Sequence, residues 1–220
     1  APSAIAVLAS RRFRSPHTAH PHTHYLSNGR YTAALTHAGG GYSMWNGVVV
    51  TRQREDRTSD AGAQVIYLRD PWSGEIWSPT YFPVCGEPDE YEATLELDKA
   101  TFRRRDGDFE TQLQVAVSPE EDVEVRRLSL TNRGDRPREI EVTSYAEMVL
   151  SRPEDDLAHP AFGKLFIETE YDAQSAGLLF SRRPRSEGEP RVWAFHVLSI
   201  DGRLGGAVER ETDRARFLGR

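Results

Sequence analysis

From Tyr31 onward, apolar and polar positions alternate with period two, the pattern of strands that bury one face. Tyr91, Ala93, Leu95 and Leu97 alternate with Glu92, Thr94 and Glu96. Asp106-Gly107 is a two-residue hairpin signal that joins a strand over 100–105 to one over 109–117, where Phe109, Leu113, Val115 and Val117 share a face. Val123 and Val125 have one parity, Leu128 and Leu130 the other. That one-residue slip at Arg126-Arg127 predicts a β-bulge, because a slip otherwise turns a strand's faces over. The turn residues Asn132, Gly134, Asp135 and Pro137 lead to a long strand over 139–150. Further strands are expected over 64–69, 165–171, 178–182 and 192–199. The last carries apolar residues on both faces, which predicts a central strand. Only 154–158 offers a short helical turn, and His159-Pro160 ends it.

Roughly ten short strands separated by turn signals predict an all-β fold, a large antiparallel β-sandwich. The sandwich is placed at residues 25–220. Residues 1–24, rich in Ala, Ser, Pro and Arg without periodicity, read as a linker or extended leader. From Gly202 the chain is glycine- and charge-rich and closes no recognisable element, so the last strands of the sandwich are expected to be missing.

With 220 residues the chain can bury a substantial core, and its net charge of -6 argues against a general nucleic-acid surface despite the local strip Arg103-Arg104-Arg105. No apolar run approaches the ~20 residues of a membrane span. The one cysteine, Cys85, excludes an internal disulfide, fits a reducing compartment and reads as an incidental side chain rather than a nucleophile. His17, His20, His22 and His24 have spacing that a transition metal can use. Pro16 and Pro21 interrupt them, however, and no cysteine or carboxylate completes a set, so no metal site is assigned.

Two stretches carry candidate recognition chemistry. Gly39-Gly40-Gly41 allows positive φ and close approach of another surface; Tyr42 and Trp45 follow, then Arg52, Arg54 and Asp56. In the loop over 69–77, Trp72 and Trp77 flank Ser73-Gly74, with Asp70-Pro71 just before. An exposed indole offers a flat apolar face to a sugar ring, and neighbouring Arg or Asp can bind its hydroxyls. Trp77, on the strand side, is the position a core would claim; Trp72, on the turn, is the one expected in solvent. The carbohydrate-binding candidates are therefore Tyr42, Trp45, Arg52, Arg54, Asp56, Trp72 and Trp77. No catalytic set is assigned. Carboxylates abound, but sequence cannot pair them. There is no G-x-S-x-G elbow, no P-loop and no dinucleotide fingerprint, and no cofactor is expected.

The ordered motifs Leu26-Ser27-Asn28-Gly29-Arg30-Tyr31, Gly39-Gly40-Gly41-Tyr42-Ser43 and Arg52 to Asp56 resemble the start of the phosphorylase region of cyclic β-1,2-glucan synthases. Ile66-Tyr67-Leu68-Arg69-Asp70, Ile76-Trp77-Ser78, Val117-Ser118-Pro119-Glu120, Glu141 to Glu147 and His159-Pro160-Ala161-Phe162 continue the resemblance in order. These enzymes form glycoside hydrolase family 94, formerly glycosyltransferase family 36, with cellobiose and chitobiose phosphorylases.

The resemblance implies a β-supersandwich of the galactose-mutarotase-like class, with catalysis in a separate (α/α)6 barrel. No acid or phosphate-binding residue can be carried over. Expected partners are a β-glucan or oligosaccharide, the helical barrel of the parent chain and a second copy in a homodimer, with no nucleic acid and no membrane contact by this domain. The implied location is cytoplasmic, in a parent protein associated with the inner membrane. Two other classes compete: a purely structural interdomain or dimerisation module, and an aldose epimerase-like enzyme. The second would need His37 and His196 in one pocket with a carboxylate.

Overall fold

A computed structural model describes residues 10–52 and 64–219 of the chain. The described residues start with β1 (Arg11–Phe13), β2 (Thr23–Ser27), β3 (Tyr31–Thr36), β4 (Gly41–Trp45) and β5 (Val48–Thr51). β6 (Gln64–Arg69), β7 (Ile76–Trp77), β8 (Glu90–Leu95), β9 (Ala100–Asp106), β10 (Phe109–Val117) and β11 (Glu124–Asn132) follow. Next come β12 (Glu141–Ala146), β13 (Met148–Ser151), α1 (Pro153–Ala158) and α2 (Pro160–Gly163), then a 3-10 turn at Lys164–Phe166. β14 (Ile167–Asp172), β15 (Gly177–Arg182), β16 (Val192–His196) and α3 (Arg214–Leu218) complete the order.

Two five-stranded antiparallel sheets, β1-β8-β9-β10-β11 and β13-β5-β4-β3-β2, face one another. Leu26, Ala33 and Leu35 of one meet Tyr91, Ala93, Leu95, Phe102, Leu113 and Val115 of the other in a single apolar layer. Burial on this scale stabilises by about 1.5–3 kcal/mol per large side chain. A smaller core of Leu68, Trp77 and Phe109 lies under the sheet β12-β6-β7. A fourth sheet, β14-β15-β16, lies against β13. The all-β sandwich is thus as the alternation predicts, and the Asp106-Gly107 hairpin forms with Gly107 at φ 56°.

Three local expectations are corrected. β10 and β11 run in unbroken register from Phe109↔Asn132 to Val117↔Glu124, so there is no bulge at Arg126-Arg127. Val123 and Val125 face solvent while Glu124, Arg126 and Leu128 point inward. The parity change is genuine, but the inward positions before Leu128 are charged. Arg126 donates to Glu124 at 2.6 Å, and the same carboxylate accepts from Tyr31 at 3.2 Å and Ser43 at 2.5 Å, so the pair is satisfied where it is buried.

The strand expected over 139–150 divides at Glu147: β12 pairs with β6 and β13 with β5. The backbone carbonyl of Glu147 accepts the Arg52 amide at 2.9 Å, between the two pairings. β16, expected in the centre of a sheet, is an edge strand among the described residues and leaves Trp193 and Phe195 about half exposed.

Two smaller readings also change. The stretch read as a leader contributes to the sandwich from Arg11 onward, because Arg11–Phe13 pairs with Ala93–Leu95 at the edge of the first sheet. The strip Arg103-Arg104-Arg105 is not one basic surface either. Strand alternation turns Arg104 inward, where Asp106 pairs with it at 2.6 Å and the carbonyls of Thr80 and Gly86 accept from it. The helical turn forms as expected, and His159, with φ -145° and ψ 67° before Pro160, ends α1 while the proline starts α2.

Candidate functional site

The glycine run admits the chain's own atoms. Gly39 has φ 95°, and a Cβ there would lie 2.2 Å from the Thr80 Cβ. A Cβ on Gly41 would lie 2.0 Å from the carbonyl oxygen of Ala34. Both glycines are therefore required by internal packing between β3, β4 and the segment after β7, and the close approach expected of a sugar or barrel is made by Thr80 and Ala34.

Tyr42 and Trp45, even and odd on one strand, point to opposite faces of β4. Tyr42 is half-buried beside the exposed Tyr25; burial first, then the neighbouring Tyr25 hydroxyl, raises its pKa. Trp45 turns inward, and its indole N–H donates to Asp122 at 2.6 Å. Arg30 clamps the other oxygen of the same carboxylate at 2.9 Å. The two aromatics do not form a joint platform.

Arg52 is the centre of a buried charge cluster. Its guanidinium lies 3.3 Å from Glu147 and 3.1 Å from Asp156, with 13% of its side chain exposed. Glu147 also accepts from Tyr145 at 3.0 Å and from Arg214 at 3.2 Å. Burial pushes the Glu147 carboxyl up, but the Tyr145 hydrogen bond and the cations Lys164, Arg52 and Arg214 outweigh it and hold it below the ordinary range. Asp156 is raised, chiefly by burial, and Lys164 is lowered, chiefly by burial. The cluster fastens α1 to the junction of β5 and β13. Arg54 and Asp56 lie outside the described residues.

The tryptophan hairpin separates its two indoles. Trp77 is 3% exposed and stacks on Phe109 with centroids 5.5 Å apart, so it has no face for a ligand. Trp72 is 78% exposed. Its turn is held from below by Asp70, itself 2% exposed, whose Oδ1 accepts from the amide of Trp72 at 2.8 Å and whose Oδ2 is ion-paired with Arg138. The backbone closes the same turn, Gly74 to Asp70 at 2.8 Å and Asp70 to Glu75 at 3.0 Å. Beside Trp72 opens a cavity of about 330 Å³ lined by Ser73, Arg136 and Arg138. Arg138 also lines a second concavity of about 240 Å³ with Glu75, Glu87, Asp89, Asp106, Asp108 and Phe109. Arg136, Arg138 and Asp108 are functional candidates that local sequence patterns did not reveal. Arg136 and Arg138 belong to the segment before β12 that the β12–β6 pairing brings to Trp72, and Asp108, in the β9–β10 turn, shares the second concavity with Arg138.

The histidines go to separate places. His37 is buried and bonded to Pro16, Thr18 and His22. His196 lies in β16, where burial and then Arg126 lower its pKa. Neither lines either concavity. His17 pairs with Glu87 at 2.8 Å and His24 with the carbonyl of Glu96 at 2.7 Å.

Comparison with known proteins bears on the whole chain. The family model for the glycosyl hydrolase 94 supersandwich domain matches residues 8–220. The cyclic β-(1,2)-glucan synthase NdvB of Rhizobium meliloti (strain 1021) is 39% identical over 88% of this chain. The solabiose phosphorylase of Paenibacillus borealis is 31% identical over 94% of it, and the N,N'-diacetylchitobiose phosphorylase of Vibrio furnissii 29% identical over 69%. The chain spans only 7%, 26% and 20% of the lengths of those proteins.

Proposed function

Because the chain belongs to the glycosyl hydrolase 94 supersandwich family, we propose that it is the non-catalytic, carbohydrate-associated domain of a longer β-glucan phosphorylase or cyclic β-1,2-glucan synthase. The chemistry of that longer protein is assigned to a separate helical barrel. One observation carries this reading. Trp193, Phe195, Val197, Leu198 and Ile200 are each about half exposed on and just after an edge strand. A sheet edge with apolar side chains beside it is a surface that soluble proteins cover. The relatives are several-fold longer than this chain, and that additional length supplies the cover. No helix among the described residues is long and apolar enough to cross a membrane.

The test is a comparison of phosphorolysis by the 220-residue chain, by the longer protein and by the longer protein lacking these residues. Glucose 1-phosphate release is expected from the longer protein alone. Turnover by the 220-residue chain would overturn the assignment. A second reading rests on the same edge: two copies pairing through β16 would cover it equally, and light scattering that shows a concentration-dependent dimer of this chain favours that reading.

A further inference from the structure

We propose that the groove between the Trp72 turn and the loops carrying Arg136, Arg138 and Asp108 is a binding subsite for a neutral oligosaccharide. Trp72 is its stacking platform. The inference rests on the reading of this chain as carbohydrate-associated and names the place and the ligand chemistry.

Three observations converge. The first is presentation. An indole 78% exposed would ordinarily wander on a loop, but this one sits on a turn pinned from the core by Asp70, through the Trp72 amide and the Arg138 ion pair. A turn whose backbone is already held loses little freedom when a sugar ring settles on its indole. The second is shape. The cavity of about 330 Å³ beside Trp72 lies within the ~300–1,000 Å³ of small-molecule sites, and Arg138 also lines the second concavity.

The third is unspent polar capacity. Most charged groups around the groove are already occupied: Asp106 by Arg104, Asp89 by the amide of Gly107, Glu87 by His17 and Arg138 by Asp70. The side chains of Glu75, Asp108 and Arg136 make no hydrogen bond or ion pair with any described residue. One planar fork of donors beside the indole and two acceptors in the neighbouring concavity match the alternating donor and acceptor character of vicinal hydroxyls.

The charge balance selects the class of sugar. Across the two concavities five carboxylates, all in the second, outnumber two guanidiniums, so a phosphorylated or acidic chain that reaches from one to the other meets net repulsion. A neutral gluco-oligosaccharide does not.

The experiment is titration of the 220-residue chain with β-1,2-linked glucotetraose and, separately, cellotetraose. Tryptophan fluorescence and the indole N–H resonances of Trp72 and Trp77 are followed. Saturable shifts of the Trp72 resonance are expected with at least one of the two sugars. Trp72→Ala is expected to weaken the association constant about tenfold or more, Trp72→Tyr to retain most of it, and the pair Glu75→Gln with Asp108→Asn to weaken it several-fold. Trp193→Ala, in the chain's fourth sheet and lining neither concavity, is expected to leave it unchanged. An unmoved Trp77 resonance verifies that each variant remains folded.

A Trp72 resonance that stays still at tens of millimolar of both sugars overturns the subsite. So does binding that Trp72→Ala leaves intact, or displacement of bound sugar by a sulfated oligosaccharide at equal concentration. Failure of these arms with glucose 1-phosphate still released only by the longer protein removes the subsite and leaves the proposed function standing. Sugar binding at Trp72 together with turnover by the 220-residue chain does the reverse.

Discussion

His37 donates its Nε2 proton to the carbonyl oxygen of Pro16 at 3.0 Å, and this bond sets the tautomer of the ring. On the other side of the ring, Nδ1 accepts the amide of His22 at 3.3 Å. A second proton on the ring would face that N–H, a donor against a donor. Burial, and then the nearby His22, depress the pKa of His37 below its ordinary 6.5, against the weaker pull of the Pro16 bond. The groups around it are His22, Phe13 and the hydroxyls of Thr18 and Tyr91, with the His17–Glu87 pair at the surface.

The sign of the pH effect follows. The unfolded chain binds a proton at His37 more readily than the folded one, so stability is full above pH 6.5 and falls as pH drops from there toward the depressed folded value. Each unit of depression corresponds to about 1.4 kcal/mol. Thermal melts between pH 8 and pH 5 should show this fall, accompanied by faster tryptic cleavage at Arg14. His37→Gln should flatten both dependences at about 1–3 kcal/mol lower stability. A melt whose acid slope is the same in His37→Gln would remove His37 as its source.

Gly39 and Gly29 share positive φ, 95° and 92°, but differ in what a methyl group would meet. At Gly29 nothing lies within 4 Å, so Gly29→Ala should cost only the backbone term, about 1 kcal/mol. Gly39→Ala adds a clash with Thr80 and should cost about 2–5 kcal/mol in all. Denaturant midpoints of the two variants measure the difference. Equal losses would mean that the Thr80 contact relaxes at no cost.

Arg52 stands between two carboxylates, and its removal leaves Glu147 and Asp156 facing one another in a poorly hydrated site. Arg52→Ala should therefore cost about 3–5 kcal/mol. Arg52→Ala combined with Asp156→Asn should recover part of that loss. A double variant no more stable than the single one would show that packing of the arginine stem, not charge, sets the effect.

Trp193 has no such role within the domain. It is 52% exposed, with Arg191 over its ring at 5.0 Å. Trp193→Lys should change stability by no more than about 0.5 kcal/mol. It should also lower self-association of the 220-residue chain, read by sedimentation velocity. Unchanged sedimentation in a chain that does self-associate would move the sticky surface elsewhere.

The elements that sequence made legible are those whose buried face is apolar. β8, β9 and β10 bury Tyr91, Ala93, Leu95, Phe102, Leu113 and Val115 on a strict alternation, and their positions follow from it. β11 was misread because its inward residues Glu124 and Arg126 satisfy each other, a pairing that hydropathy scores as solvent. The break at Glu147 was hidden for a related reason: its carbonyl and its carboxylate both meet Arg52, a contact made across the fold. Of the candidate site, Trp72 and its supporting Asp70 could be read locally from a turn signature. Arg136 and Asp108 could not, because the concavities they line are products of sheet pairing. Tyr42, Trp45, Arg52 and Trp77 were chosen for their chemistry, and the fold uses three of them in internal contacts.

The segment from Phe13 to Thr23 links β1 at the edge of one five-stranded sheet to β2 at the edge of the other. Its consequence is temporal. β2 finds its partner within a few residues, whereas β1 must wait for β8, far along the chain, and contacts of such sequence separation form late because loop closure precedes any gain. Among the described strands, β1 thus precedes β2 in sequence but is placed after it. It can be peeled back with the His37 contacts while the two sheets stay together, a partial opening that amide exchange at Arg12 and Phe13 would register before the core exchanges.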